Sequence, residues 1–296
     1  MALVLLNPHA QGGRAARLAP QMQTWLAEHA PEVEFAAPSS LDESLHVLQQ
    51  LPPGTRVVAV GGDGTLNRWL PVLLDQQLAL GLVPFGSGND TARAIGVYGQ
   101  DWRAALPHAL TGPCEAMDVG LALFEQQRIP FLSSFTAGFD SAVGKRALDG
   151  PVWLRGLPRY LWATLKELAR IQTWDLKISI QGEIRYAGAS LFASSLNTPT
   201  FGSGMPAAPA ADISDGQLAV LHASEFNALQ ALWMLPRLLT GTHLSHHKIS
   251  LWSAQDIVIE SQQPLPIASD GEYQGTTHRL QLQVLPQGLP VVMKSA

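Results

Sequence analysis

The alternation of apolar and polar positions changes texture once along this chain. Over the first ~120 residues, short apolar runs alternate with stretches of helical period, which is the pattern of a parallel α/β layer. Strands are expected at Leu3–Leu6, Val33–Phe35, Val57–Val60 and Leu78–Val83. Helices are expected over Arg14–Glu28, Leu41–Leu51 (behind Ser39 and Ser40 as candidate caps), Asp90–Ile95 and Asp101–Leu110. An unbroken run such as Val-Val-Ala-Val (57–60) suits a strand covered on both faces. After Met117 the runs become short and β-rich: Met117–Leu123, Ile129–Phe135, Asp175–Ile180, Ile184–Phe192, Gln217–Leu221, Lys248–Leu251, Ile257–Glu260 and Leu280–Val284. They predict a mostly antiparallel sheet pair or barrel-like domain. Two helices, Leu154–Arg170 and Phe226–Leu239, interrupt it, the first with Leu154, Leu157, Leu161, Leu165 and Leu168 on one stripe. The texture places a domain boundary near residue 125, giving 1–125 and 126–296, with the last strand a candidate to return to the first domain.

Candidate chemistry sits where apolar runs meet glycine. Val57–Val60 leads into Gly61, Gly62, Asp63 and Gly64, and Thr65, Leu66, Asn67 and Arg68 can begin a helix. A strand, a glycine turn and a helix N-terminus together aim backbone N–H groups at an anion such as a nucleotide phosphate. A plain tight turn is the competing reading. Asp63 weighs against it, because a carboxylate beside phosphate implies Mg²⁺ or a hydrogen bond to a hydroxyl. A second polar loop, Asn7-Pro8-His9-Ala10-Gln11-Gly12-Gly13-Arg14, follows the first strand, and a third, Pro84-Phe85-Gly86-Ser87-Gly88-Asn89-Asp90-Thr91, follows the fourth. Ligands of open α/β sheets lie at these carboxyl ends of strands. Asn89 is equally a helix cap. Later, Asp212 and Asp215-Gly216 read as a hairpin or as a divalent-ion loop. Asp270-Gly271-Glu272 reads as a hairpin or as a general base for a hydroxyl.

Composition narrows the classes. Hydrophobic residues make up 46% and charged ones 15%, enough for full cores. The net charge of −5 offers no general basic field for nucleic acid. Cys114 is the one cysteine, so neither an internal disulfide nor a cysteine metal cluster can form. The N-terminus lacks the basic start and long apolar run of a signal peptide. Phe226–Leu239, the nearest approach to a spanning segment, is interrupted by Gln230, Pro236 and Arg237. A soluble protein, at most touching a membrane surface, is expected. Gly138 to Arg146 fails as a phosphate-binding loop in spacing and in its last residue, and His246-His247 with nearby His243 lacks zinc-ligand spacing and reads as a surface turn.

Taken together, Gly-Gly-Asp-Gly-Thr-Leu-Asn (61–67), Asn7-Pro8, Pro84 to Asp90 followed by Thr91-Ala92-Arg93, Asp215-Gly216 and Asp270-Gly271-Glu272 resemble, in order, the motifs of the diacylglycerol kinase catalytic-domain family. That family includes sphingosine kinases and bacterial lipid kinases, and the resemblance covers nearly the full length. NAD kinases and phosphofructokinases share a Gly-Gly-Asp-Gly loop but are not expected to carry the third loop with the late Asp-Gly-Glu. The resemblance implies α/β plus β: an N-terminal parallel α/β domain, then a C-terminal β-sandwich with inserted helices, and ATP in the cleft between them. It implies that Asn7, Pro8, His9, Ala10, Gln11, Ser39 or Ser40, Gly61 to Arg68, Ser87 and Asn89 line the nucleotide. Asp63, Asp90 and Asp118 would surround a catalytic Mg²⁺, and Asp212, Asp215 and Gln217 a structural one. Asp270 or Glu272 would take the acceptor's proton, the choice staying open. Arg68 departs from the family in standing where an acidic residue is often found, and Thr136-Ala137-Gly138-Phe139-Asp140 matches a middle glycine motif only in part.

The function implied is ATP- and Mg²⁺-dependent phosphorylation of a lipid hydroxyl, in the cytoplasm or peripherally on the inner membrane surface. Kinase action on a soluble alcohol or nucleotide, and nucleotide or lipid binding without catalysis, are the alternatives. Trp153, Leu154, Leu157, Tyr160, Leu161 and Trp162, with Arg155, Arg159 and Lys166, read either as a membrane-facing segment or as a helix packed on the sandwich. Oligomeric state, a homodimer included, is not fixed by the sequence.

Overall fold

The run Val57–Val60 is fully buried at the centre of a parallel sheet, as its unbroken apolar character requires. The computed structural model describes residues 1–154 and 157–294, apart from the Leu157 side chain. The chain divides into two compact units, Met1–Met117 with Gln287–Ala296, and Asp118–Pro286. The division falls inside the strand β5 (Cys114–Phe124). The apolar run that set the sequence boundary near 125 belongs to this one continuous strand.

In the first unit, β1 (Ala2–Leu6), β2 (Glu34–Ala36), β3 (Arg56–Gly61) and β4 (Ala79–Pro84) lie in the order β2-β1-β3-β4, all parallel. The end of the last strand, β13 (Glu272–Val292), continues the sheet beside β4, with Val291 opposite Leu80. The helices are α1 (Ala10–Gly13), α2 (Ala19–His29), α3 (Leu41–Gln49), α4 (Asp63–Asp75), α5 (Asp90–Ala94) and α6 (Trp102–Thr111). Val4, Leu6, Val58 and Val60 meet Met22, Leu26, Trp102 and Leu106 in one core. The helix expected over Arg14–Glu28 is broken. Gln11 and Gly12 take left-handed conformations, a 3-10 turn covers Ala15–Leu18, and α2 starts only at Ala19, where Pro20 suits a first turn.

The second unit adds β6 (Gln127–Phe131), β7 (Ser134–Ala137), α7 (Phe139–Leu148), α8 (Leu157–Leu168), β8 (Trp174–Ile180), β9 (Glu183–Leu196), β10 (Leu218–Ser224), α9 (Ala228–Leu239), β11 (Ile249–Ala254) and β12 (Asp256–Ser269). Antiparallel pairing runs β9 to β7, β7 to β12, β12 to β8 and β8 back to β9, so these strands close on themselves. β10 and β11 extend β9 outward. Trp174, Leu176 and Ile178 of β8 and Ile257 and Ile259 of β12 fill the core with Phe131 and Phe135. The single strand expected at Ile129–Phe135 is two, broken at Leu132 and Ser133, whose N–H groups turn to a carboxylate described below. α7, absent from the sequence expectation, begins behind Gly138 at φ 104°, a conformation open to glycine. α9 starts at Ala228 under a reciprocal cap of Asn227 and Gln230. Arg155, one of the expected interfacial cations, lies outside the described residues.

Phe131 covers Gly120 across the β5–β6 pair, where any Cβ would overlap the ring. Gly120→Val is therefore expected to destabilise the protein by about 1–3 kcal/mol or more, and Phe131→Ala by about 3–5 kcal/mol. Urea unfolding of each variant measures both.

Candidate active site

Three loops meet at the carboxyl ends of β1, β3 and β4. Asn7 donates from Nδ2 to Thr65 Oγ1 (2.8 Å) and accepts from the His9 N–H at Oδ1 (3.0 Å), so one side chain ties the first loop to the start of α4. Gln11, held at φ 51°, donates from Nε2 to the Gly86 carbonyl (3.1 Å), tying the first loop to the third. The second and third loops press together at glycine. A Cβ on Gly62 would lie 2.5 Å from Gly86 Cα, and one on Gly86 2.5 Å from Gly62 Cα. Asn89, left-handed at φ 57°, accepts the Gly86 N–H at Oδ1 (2.9 Å) and donates from Nδ2 to the Gly86 carbonyl (3.0 Å). Asp63 accepts the N–H groups of Asp90 and Thr91 (3.1 Å each), which bonds the second loop to the start of α5.

The expected nucleotide residues occupy different situations. Leu66 is buried in the core, so its backbone alone could face a ligand. Thr65 and Asn89 are buried, while Ser87 and Arg68 are exposed. Ser39 donates its N–H and hydroxyl to Glu43 (2.8 and 2.9 Å), and Ser40 caps α3 by accepting the Glu43 N–H. Both serines thus serve the start of α3, and the Ser39 carbonyl contacts His9 Nε2 at 2.7 Å.

The expected acidic residues of the second unit organise its backbone. Asp270, at φ 46°, accepts three N–H groups, from Leu132 (3.1 Å), Ser133 (2.8 Å) and Ser134 (3.0 Å), and donates its own N–H to the Ser134 carbonyl (2.8 Å). Glu272 follows at the first position of β13, half-buried. Gly144 of α7 lies near this turn, with a Cβ there reaching 4.0 Å from the Gly271 carbonyl oxygen. Asp118, fully buried, accepts the Gly216 N–H at Oδ2 (2.6 Å) and donates its N–H to the Ile213 carbonyl (2.7 Å), which fastens the 212–217 loop. Asp212 accepts the Ser214 N–H and hydroxyl, and Asp215 accepts the Gln217 N–H, as side-chain-closed turns. Among the described residues, no three His, Cys, Asp or Glu side chains gather as a metal-binding group. Mg²⁺ bound with a nucleotide needs one or two carboxylates beside phosphate oxygens and water, and Asp63 with Asp90 at the glycine loops fits that smaller demand.

Sequence reasoning missed a cavity in the second unit. Beneath α7, α8 and α9 lies a narrow cavity of about 80 Å³, part of it open to solvent, lined by Phe139, Leu161, Leu168, Phe192, Met234 and Leu238 among others. Asp140 is the one carboxylate among the described lining residues, and it accepts the Ser194 hydroxyl at 2.9 Å. Burial pushes the Asp140 carboxyl up to about 7, against the downward pull of the Ser194 hydrogen bond. The signal in the sequence was the partial motif Thr136 to Asp140; nothing in the period of the helices revealed a hollow beneath them. His243, near the pair His246-His247 in sequence, is buried with Nε2 on the Ala207 carbonyl.

Residues 1–122 match the diacylglycerol kinase catalytic domain, and residues 133–293 match the YegS C-terminal NAD kinase beta sandwich-like domain. A diacylglycerol kinase of Mycobacterium tuberculosis is 28% identical over 91% of this chain and 87% of its own. A diacylglycerol kinase of Bacillus subtilis is 25% identical over 74% of this chain and 71% of its own. The fold matches a crystal structure of a diacylglycerol kinase from Bacillus anthracis with TM-score 0.70 at 18% identity, covering 99% of this chain and 96% of that one.

Two outcomes are expected. Asp270→Asn places an amide where three N–H donors converge; losing one such charge-assisted bond costs about 1.5–3 kcal/mol, so its urea midpoint should fall markedly. At Asp140 the folded protein keeps a proton that the unfolded chain releases near pH 4. Its contribution to stability is therefore lost as pH rises from about 4 to about 7, then levels off. Asp140→Asn should flatten that part of the stability profile, and an unchanged profile would contradict the assignment.

Proposed function

Because the chain belongs to the diacylglycerol kinase catalytic-domain family, in the form that carries the YegS-type C-terminal domain, we propose that it transfers the γ-phosphoryl group of ATP to a hydroxyl of a membrane lipid. The observation that carries the lipid reading is the cavity under α7, α8 and α9, whose lining is almost wholly apolar. A soluble alcohol or nucleotide would gain nothing from such a lining, whereas an acyl chain gains about 0.8 kcal/mol for each CH₂ it buries.

In this reading the first unit supplies the nucleotide cradle. Backbone N–H groups around Gly62–Gly64 and Ser87–Gly88 receive phosphate oxygens, and the close approach of Gly62 and Gly86 holds the two loops side by side. Asn7 and Gln11 hold the three loops in register. Mg²⁺, bound with the nucleotide, would offset phosphate charge, with Asp63 and Asp90 as its protein carboxylates.

The second unit supplies the acceptor. The chain of the lipid enters the cavity, and its hydroxyl meets the Asp270-Gly271-Glu272 turn. One of the two carboxylates takes the hydroxyl proton as the new O–P bond forms and the bond to the leaving ADP oxygen breaks. The three N–H bonds to Asp270 fix the geometry of this turn before substrate arrives. They leave Asp270 fewer lone pairs for a proton than an unattached carboxylate would have, while Glu272 follows on the same turn. The M. tuberculosis and B. subtilis relatives named diacylglycerol kinase support diacylglycerol as the first lipid to test.

The test is incubation with labelled ATP, Mg²⁺ and fractionated membrane lipids, followed by identification of the labelled product. A phosphorylated lipid is expected. ATP consumption yielding only a soluble phosphorylated alcohol would replace this reading, and ATP binding without turnover on any acceptor would overturn it. General-base help is worth about 10²–10⁴ in rate, so the variant that removes the base, Glu272→Gln or Asp270→Asn, should lose turnover by that factor with ATP affinity changed little. Full turnover in the double variant would contradict the role of this turn.

A further inference from the structure

α9 carries large apolar residues on its outer side as well as its inner one, with Gln230 and Arg237 its polar side chains. Its inner face, Ala231, Met234, Leu235 and Leu238, lines the cavity. Its outer face shows Leu229, Leu232 and Trp233, which are 65%, 42% and 71% exposed. Their spacing of three and four residues puts them on one side of the helix. The segment entering α8 adds Val152 and Trp153, 81% and 78% exposed, and α8 packs beside α9 and lines the same cavity. Large apolar groups exposed on α9, which covers the cavity, and on the segment before α8 mark an interaction surface.

The charges select the occupant. Residues 157–170 and 228–239 carry Arg159, Lys166, Arg170 and Arg237 against the single acid Glu167, in a chain of net charge −5. Glu167 is itself paired with Arg146. Lys166, Arg170 and Arg237 are exposed. A second copy docked by the same face would bring these cations together across a two-fold axis. An anionic bilayer surface attracts such cations, and it receives Trp and Leu in its headgroup–acyl boundary.

We infer that α9 is a lid seated in the surface of an anionic phospholipid bilayer, with Leu229, Leu232 and Trp233 entering the boundary, and that the cavity beneath it draws its lipid directly from that bilayer. This rests on the lipid-kinase reading for its purpose, but the surface itself is testable without turnover.

The experiment compares wild-type protein with Leu229→Ser/Trp233→Ser and with Lys166→Glu/Arg237→Glu. Co-sedimentation without ATP uses phosphatidylcholine vesicles with and without phosphatidylglycerol. Turnover is then measured on long-chain diacylglycerol in the same vesicles and on short-chain dioctanoylglycerol dispersed below its aggregation limit. The apolar double variant should lose vesicle binding by about tenfold or more, lose vesicle turnover in proportion, and keep turnover of the dispersed substrate. The charge variant should lose binding only to vesicles containing phosphatidylglycerol. Unchanged vesicle binding by the apolar variant would overturn the lid assignment, as would a wild-type dimer in sedimentation that this variant dissolves. If the wild type binds vesicles through these residues yet phosphorylates neither substrate, the surface stands and the diacylglycerol-kinase reading falls.

Discussion

Gly62 and Gly86 come so close that a Cβ on either would collide with the other's Cα. Everything proposed for the first unit depends on that approach. It joins the loops after β3 and β4, leaves backbone donors uncovered at the sheet's carboxyl edge, and explains why the flanking side chains are spent on bracing. Asn89 spans Gly86 with two hydrogen bonds, Gln11 reaches it from the first loop, and Asp63 secures the start of α5. The polar residues of these loops are mostly engaged with one another, which makes the cradle rigid in advance of any ligand. Preorganised donors cost no rearrangement when charge arrives.

The second unit applies the same economy with carboxylates. Asp270 stops β6 from running on into β7 by claiming the N–H groups of residues 132–134. Asp118 holds the 212–217 loop through Gly216, and Asn197 bridges the carbonyls of Asp118 and Leu132. The break in the sheet, the acid turn and the acidic loop are thus one hydrogen-bonded assembly. Acids that look in sequence like metal ligands act here first as organisers of backbone, a role any chemistry at the site would inherit.

The glycine loops were legible in the sequence because their signal is local: an apolar strand, then residues that permit unusual backbone, then a helix start. The strand segments of the parallel layer and the β-rich second half were legible for the same reason. The break at Leu132–Ser133 was not, because its cause, Asp270, is over a hundred residues away along the chain. The left-handed Gln11 is likewise set by its contact with Gly86 rather than by its own preference. The cavity escaped because an apolar face reads identically whether it packs on a neighbour or borders empty space. In α9 the run Phe226–Leu239 read as a helix interrupted by Gln230, Pro236 and Arg237, and only the exposure of Leu229 and Trp233 separates its two faces.

The most direct measurement of the central claim is a crystal structure of the protein grown with Mg²⁺ and a non-hydrolysable ATP analogue. The account predicts the phosphates on the backbone N–H groups of Gly62–Gly64 and Ser87–Gly88, with the metal on Asp63 or Asp90. An analogue bound elsewhere, with those glycine loops bare, would contradict it.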